Sequence, residues 1–456
     1  MSVPQIVATA AREDYHPPFY YLILHYWMMV FGTSESAVRL LSALFGVLAI
    51  PMIYVIGRQL FKKEVGLVAA LILALSSFNI QYSQETRMYS LMVLLALFSM
   101  YFFLRFLQRS TLASSAGYIL CTTLLTYTHL YGFFVVIAQN IYVVTILLMS
   151  KRRSYRLRHW VALQAIVFAF FVPWGAVLIN QISRREAQVS LVQPPTIATV
   201  VYSFFSYTGG RWALFVLFLG LSVLSLFVCQ KVQGTMDWKA PLKALKSYSS
   251  RVRIQAAVPV CFLAIWLLTV NLIPFIISRI SAPIYVGRYT IAASVALYLL
   301  VAKGISSINH RYTKVVVIGI IVVLSAANLQ VYYTSITKPQ GREATALIDA
   351  NFTSGDVVLV APSWEHITFD YHNNRTDVAV KPIYFGDSSP IKNPEAVTKE
   401  LQSAVNSHER VWFYYAKGPL GPPTENFTLN FLNQSFAKIY ITSYIGYDVY
   451  LYEKRA

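Results

Sequence analysis

Ten apolar runs occupy the chain between residues 37 and 333. Each has roughly the 17–25 residues that a helix needs to cross a hydrocarbon core about 30 Å thick. They fall near 37–57, 65–81, 88–107, 114–129, 131–149, 160–180, 211–229, 254–278, 286–302 and 315–333, and none occurs after residue 333. With 56% hydrophobic and 13% charged residues, the chain is too apolar for a soluble globular protein and reads as an integral membrane protein. Cys121, Cys229 and Cys261 all lie in or beside apolar runs, so the spacing offers neither a disulfide framework nor a metal-binding CxxC pair.

The net charge of +18 would suit a nucleic-acid partner if it were clustered on a soluble surface, but it lies in the membrane part. Up to residue 334 there are 27 Lys and Arg against 7 Asp and Glu; the remaining tail carries 11 against 13. If the first span runs inward, 19 of the 27 basic residues fall in one set of loops, including Arg58, Lys62, Lys63, the "KRRSYRLR" stretch, Lys303, Arg311 and Lys314. By the positive-inside rule that set is cytoplasmic, and the tail then lies outside the cytoplasm. Glu13, Asp14, Glu35, Glu85 and Glu186 fall on the opposite, outer face, which marks it as the working surface.

Residues 1–36 are expected to form an external juxtamembrane segment, 37–334 the transmembrane domain and 335–456 a small α/β domain. In the last, "GREATALIDANF" has helical periodicity, "DVVLVAP", "RVWFYYA" and "KIYITSYIGYDVYLYE" read as strands, and "KGPLGPP" as a loop. Four N-x-S/T sequons, at Asn351, Asn374, Asn426 and Asn433, fit chance occurrence. The opening "MSVPQIVATAARED" lacks the basic and apolar regions of a signal peptide. "PPFYYLILHYWMMVF" is short for a span and rich in interfacial Tyr and Trp, so a helix lying along the outer surface is expected.

Four polar constellations sit at the outer ends of spans. Glu13, Asp14 and His16 precede Pro17 and Pro18, which fix a first helical turn. Asp14 and His16 there could cap the helix, deprotonate an acceptor hydroxyl or, as a carboxylate and histidine cluster, hold a divalent metal. "SQETRMY" carries Glu85 and Arg87, which could serve as a base and a phosphate clamp or as interfacial anchors. "YTHLYG" places His129 and Tyr131 at a turn, where a histidine is either a structural hydrogen-bonder or a ligand contact. "SRISAPIYVGRYT" carries Arg279, Tyr285, Arg288 and Tyr289; its two arginines suit a lipid-linked phosphate or ordinary headgroup snorkelling. Walker A, GxGxxG, HExxH and DxD motifs are all absent from the sequence, so nothing points to nucleotide-driven pumping or a metal-held nucleotide sugar.

The stretches "DYHPPFYYLILHYWMMVFGTSESAVRLLSALFGVLAIPMIYVIGRQLF", "GLVAALILALSSFNIQYSQETRMYSLMVLLALFSMYFFLRFL", "YTHLYG" and "VGRY" together resemble the polytopic GT-C glycosyltransferases. The resemblance is to their family-39-like branch, related to protein O-mannosyltransferases, lipid A aminoarabinose transferases and rhizobial galacturonosyltransferases. It covers most of residues 12–333. It implies an all-α membrane domain, and inverting transfer of a sugar from a polyprenyl-phosphate donor to an unknown hydroxyl acceptor on the outer face, with membrane lipid and no nucleic acid as surroundings. On that resemblance Asp14, His16 and Glu85 are the catalytic candidates, and Arg87, His129, Tyr131, Arg279, Tyr285 and Arg288 the candidates for binding donor phosphate or substrate. Such proteins usually begin with a further transmembrane helix and an external Asp-Glu pair supplying the base, and this sequence begins after both. A noncatalytic relative and a membrane transporter are the competing readings. The latter is disfavoured by the lack of an internal repeat or a charge securely within a span.

Overall fold

The computed structural model describes residues 2–12, 16–149, 156–185, 194–228, 251–336, 338–385, 391, 393–417 and 421–455. Contacts divide the chain into two units, Met1–Arg184 with Val192–Val331, and Arg185–Leu191 with Tyr332–Ala456.

In the first unit, α1 (Val3–Arg12) and α2 (Phe19–Phe31) precede α3 (Glu35–Leu60), α4 (Lys63–Ala74), α5 (Ser77–Ser83), α6 (Tyr89–Gln108), α7 (Leu112–Thr128) and α8 (Gly132–Met149). There follow α9 (Arg156–Arg185), α10 (Ile197–Tyr207), α11 (Trp212–Val228), α12 (Arg251–Ile280), a 3-10 helix (Gly287–Ala293), α13 (Ser294–Ser306) and α14 (Arg311–Thr334). Every expected span falls on a helix or a bent helix pair. Among the described residues six helical stretches are long and apolar enough to cross a membrane, or up to eight if each bent pair is one span. The spans expected at 114–129 and 131–149 coincide with α7 and α8, which at 17 and 18 residues do not join that set. At 17 residues α7 is short for a span, and it also carries polar contacts to its neighbours. Thr122 shares a 2.8 Å hydrogen bond with Ser99, while the Tyr118 hydroxyl donates to Gln139 Oε1 at 2.8 Å and accepts from Gln164 Nε2 at 2.8 Å.

Two bends are pinned by buried or half-buried polar groups. Between α4 and α5 the axis turns by 61°. Ser76 caps α5 there, accepting from the Asn79 backbone at 3.2 Å, and its hydroxyl pairs with that of Tyr298 at 2.8 Å. Between α10 and α11 the turn is 94°. It passes through Gly209 and Gly210 at φ 71° and 74°, a left-handed conformation that costs glycine least. Asn328 Nδ2 secures it by donating to the Gly209 carbonyl at 2.8 Å. α6 runs through the middle of this unit, with most of its residues buried.

The second unit is a five-stranded mixed sheet in the order β2-β1-β3-β5-β4, with β1 Val357–Ala361, β2 Ala379–Pro382, β3 Arg410–Ala416, β4 Phe436–Tyr444 and β5 Tyr447–Lys454. β1 pairs in parallel with β2 and β3, whereas β5 pairs antiparallel with β3 and β4. The short β2 carries no alternating pattern and was not expected. All five residues of β1 are buried, as befits a parallel strand covered on both faces. Val357, Leu359 and Phe413 pack in one core with Leu401 of α17 (Pro394–Val405) and Leu432 of α18 (Gly421–Ser435). Val358, Val360 and Trp412 pack in the other with Ile348 of α15 (Gly341–Asn351) and Phe369 of α16 (His366–His372). The expected "KGPLGPP" loop is shortened at its end, because Gly421 and the two prolines after it open α18.

Candidate active site

The turn between α7 and α8 is the centre of the site. Thr128 ends α7, and His129 at its C-cap takes extended dihedrals that lift the imidazole off the helix. The ring is 1% exposed. The Tyr131 backbone N–H donates to Nδ1 at 3.0 Å, so Nδ1 holds its lone pair and the proton of the neutral ring sits on Nε2. Nε2 is buried and has no hydrogen-bond partner among the described residues. Burial above all, then the neighbouring His16, Arg288 and Arg87, holds the imidazole well below its ordinary pKa, so the ring is neutral at physiological pH.

Around this ring an aromatic cage closes. His16 stacks obliquely on His129 with centroids 4.5 Å apart, and Tyr289 approaches His129 edge-on at 4.7 Å. Tyr289 also lies 5.4 Å from His16, 5.5 Å from Tyr131 and 6.2 Å from Tyr89. The Arg288 guanidinium lies 5.5 Å from the Tyr289 ring centre. Glu85 and Arg288 are both within electrostatic reach of Tyr82 and Tyr89. Arg87 reaches back to α2, donating from Nη1 to the Tyr21 hydroxyl at 3.2 Å. On the same stretch the Tyr20 hydroxyl meets Ser42 Oγ at 2.7 Å, and Ser42 donates to the Arg87 carbonyl at 3.2 Å. These contacts lock α2, α3 and the loop before α6 into one platform.

The loop from α12 to the 3-10 helix is held from beneath. Ser278 Oγ accepts from the Ile284 and Tyr285 backbones at 2.9 and 2.8 Å. The Tyr131 hydroxyl donates to the Ile284 carbonyl at 2.9 Å, so the ring beside His129 also clamps the strand that delivers Arg288 and Tyr289. Of the sequence-derived candidates, the structure therefore gathers His16, Glu85, Arg87, His129, Tyr131 and Arg288. Tyr285 is buried, and its hydroxyl is engaged elsewhere, donating to Ser203 Oγ at 2.9 Å and Asn271 Oδ1 at 3.3 Å. Arg279 is exposed in the last turn of α12, and no contact among the described residues ties it to the cage. Glu13 and Asp14 lie outside the described residues. Tyr289, named with Arg288 in the fourth constellation but not among the site candidates, contacts His16, Tyr89, His129 and Tyr131. No three His, Cys, Asp or Glu side chains come together as a metal ion would require among the described residues.

The result is an aromatic cage around a buried, neutral histidine that offers an N–H, with two exposed arginines and one half-buried carboxylate at its edge. Such a set suits an anionic group attached to a sugar or lipid.

Residues 15–176 match the family described as dolichyl-phosphate-mannose-protein mannosyltransferase. No curated protein matches the chain in sequence. Solved structures do match in fold. ArnT from Cupriavidus metallidurans bound to undecaprenyl phosphate superposes with a TM-score of 0.58 at 12% identity, over 95% of this chain and 87% of that one. The archaeal oligosaccharyltransferase AglB from Archaeoglobus fulgidus, in complex with an inhibitory peptide and a dolichol-phosphate, gives 0.50 at 14%, over 96% of this chain and 66% of that one. The chain is a multi-pass membrane protein with the polytopic GT-C glycosyltransferase fold. Within that class, its N-terminal part resembles the protein mannosyltransferases.

Proposed function

We propose that the chain is a membrane glycosyltransferase that moves a sugar, with inversion, from a polyprenyl-phosphate donor to a hydroxyl acceptor on the outer face, where the C-terminal domain also lies. The observation that carries this reading is the buried His129 Nε2–H beside two arginines. An N–H held in a dry site lacks a partner until an anionic or hydroxyl-bearing ligand arrives. The likeness of fold to proteins bound to undecaprenyl phosphate and dolichol-phosphate supports the choice of donor.

In the reaction the acceptor oxygen bonds to the anomeric carbon as the bond from that carbon to the phosphate oxygen breaks. The acceptor proton passes to a carboxylate, for which Asp14 and Glu85 are the candidates, with His16 orienting the hydroxyl. The leaving polyprenyl phosphate gains negative charge as the bond breaks, so Arg288 and Arg87 hold the transition state more tightly than the ground state. His129 stays neutral and donates, and Tyr131 keeps the arginine-bearing loop in place.

The test is transfer from a panel of radiolabelled polyprenyl-phosphate sugars in membranes carrying the protein. A donor-dependent glycan product is expected, with Arg288→Ala lowering it about 10–100-fold, the value of one hydrogen bond to a charged group, and Arg288→Lys retaining more. Undiminished transfer by Arg288→Ala removes that residue from the mechanism. Failure of every donor in the panel removes the reading itself.

A further inference from the structure

A second site lies at the end of the helical unit where its cations concentrate. α4, α13 and α14 enclose a cleft of about 270 Å³. Its walls are Leu67 and Val68 of α4, Ala302 and Ile305 of α13, and Val315 and Ile318 of α14. Leu67 and Val315 are 52% and 62% exposed, so the cleft opens to the surroundings of the helices.

At its mouth stand Glu64, Arg311 and Lys314. Arg58 in the last turn of α3, Lys62 and Lys63 at the start of α4, and Lys303 in the last turn of α13 belong to the same end. Glu64 is taken by Lys62, at 2.6 Å. Lys303 Nζ donates to Ser307 Oγ at 3.3 Å. Neither Arg311 nor Lys314 forms an ion pair among the described residues. Lys62 and Lys314 both act on Glu64, so with Arg311 the mouth of this apolar, laterally open cleft stays net positive, which matches a molecule with an anionic head and a hydrocarbon tail.

The geometry points to a structural site for an anionic glycerophospholipid, with its phosphate against Arg311 and Lys314 and one acyl chain in the cleft. A zwitterionic headgroup would add a cation to an already cationic rim. A soluble phosphate would leave the apolar walls uncovered. This site is separate from the aromatic cage and stands whether or not the transferase reading holds.

Native mass spectrometry of the full chain, titrated with phosphatidylglycerol and with phosphatidylcholine, tests it. The anionic lipid should remain bound after detergent release and the zwitterionic one should not. Arg311→Ala with Lys314→Ala should weaken retention about fivefold per charge removed. Val315→Trp, which fills the cleft and leaves both cations, should weaken it as well. The exchange Arg311→Lys with Lys314→Arg should preserve retention, as should the charge-matched control Arg105→Ala with Arg109→Ala. Equal retention of phosphatidylcholine, undiminished binding by the double alanine variant, or equal loss in the charge-matched control would overturn the proposal. Displacement by equimolar glycerol phosphate would overturn the acyl-chain contact on which it depends.

Discussion

The Tyr131 backbone N–H donates to His129 Nδ1 at 3.0 Å, and that one bond decides what the imidazole can do. With Nδ1 occupied and the proton on Nε2, the ring has no lone pair to offer as a base and one N–H to offer as a donor. Replacing it by glutamine keeps an N–H at about the Nε2 distance from the backbone; asparagine keeps only an acceptor near Nδ1. His129→Ala and His129→Asn should therefore lower transfer about 10–100-fold, and His129→Gln should retain the most activity. Equal activity for glutamine and asparagine, measured as initial rates in membranes, would mean that Nε2 does not donate to the reacting molecules.

The same environment makes stability depend on pH. His129 has a pKa well below 6.5 in the folded state, because burial, His16 and the two arginines oppose a second proton, whereas the unfolded chain protonates near the ordinary value. Below about pH 6.5 the unfolded state binds more protons than the folded one, so stability falls as pH falls, by at most about 1.4 kcal/mol per pH unit from this group. Protonation would also place a hydrogen on Nδ1, against the Tyr131 N–H. The Tm of the solubilised protein between pH 8 and pH 5 should fall more steeply than that of His129→Gln. Parallel curves would assign the acid sensitivity to another residue.

The membrane architecture was legible in the sequence because a span must be long and apolar, and that requirement leaves continuous runs. Pro17 and Pro18 mark the start of α2, and "YTHLYG" reads as a turn for the same local reasons. The cage was less legible. His16, Arg87, His129 and Arg288 were singled out one at a time, but their convergence depends on α2, α6, α7 and the 3-10 helix meeting, which no local pattern records. Tyr289 illustrates the gap, since its contacts come from residues 16, 89, 129 and 131. Tyr285, three residues before Arg288, shows the same limit: that its hydroxyl bonds to Ser203 and Asn271 depends on α10 and α12 packing there, which its local sequence does not record.

Close helix packing yields a prediction independent of function. In α13, a Cβ added at Gly304 would lie 2.0 Å from the Leu221 carbonyl oxygen of α11. The carbonyl is backbone and a Cβ is held rigidly by its own backbone, so neither can swing aside and the helices would have to separate. Gly304→Ala should cost about 1–3 kcal/mol, as overpacking does, read as a lower Tm in detergent. A Cβ at Gly319 in α14 would meet nothing within 4 Å. Gly319→Ala should therefore be neutral or slightly stabilising through helix propensity. If the two variants melt alike, α11 and α13 do not approach as closely as described.

In the C-terminal domain Asp356, 3% exposed, stands immediately before β1 and joins it to β3. Its carboxylate accepts from the Trp412 indole at 2.9 Å and from the Thr353 backbone and hydroxyl at 3.0 and 2.8 Å, with the Arg410 guanidinium 3.7 Å away. Three donors and a cation replace the water that a buried carboxylate would otherwise need. Truncation leaves the buried Trp412 indole N–H without its acceptor, while Arg410 keeps Thr353 Oγ1, the Asn351 carbonyl and Glu453, so Asp356→Ala should cost about 1–3 kcal/mol. Asparagine keeps the shape but puts an amide donor where a second acceptor was, and should recover only part of this. Hydrogen exchange of the β1 and β3 amides in the full chain should accelerate in the order wild type, Asp356→Asn, Asp356→Ala, while the amides of α6 keep their protection. Unchanged exchange in Asp356→Ala would show that the two hydrophobic layers alone hold these strands together.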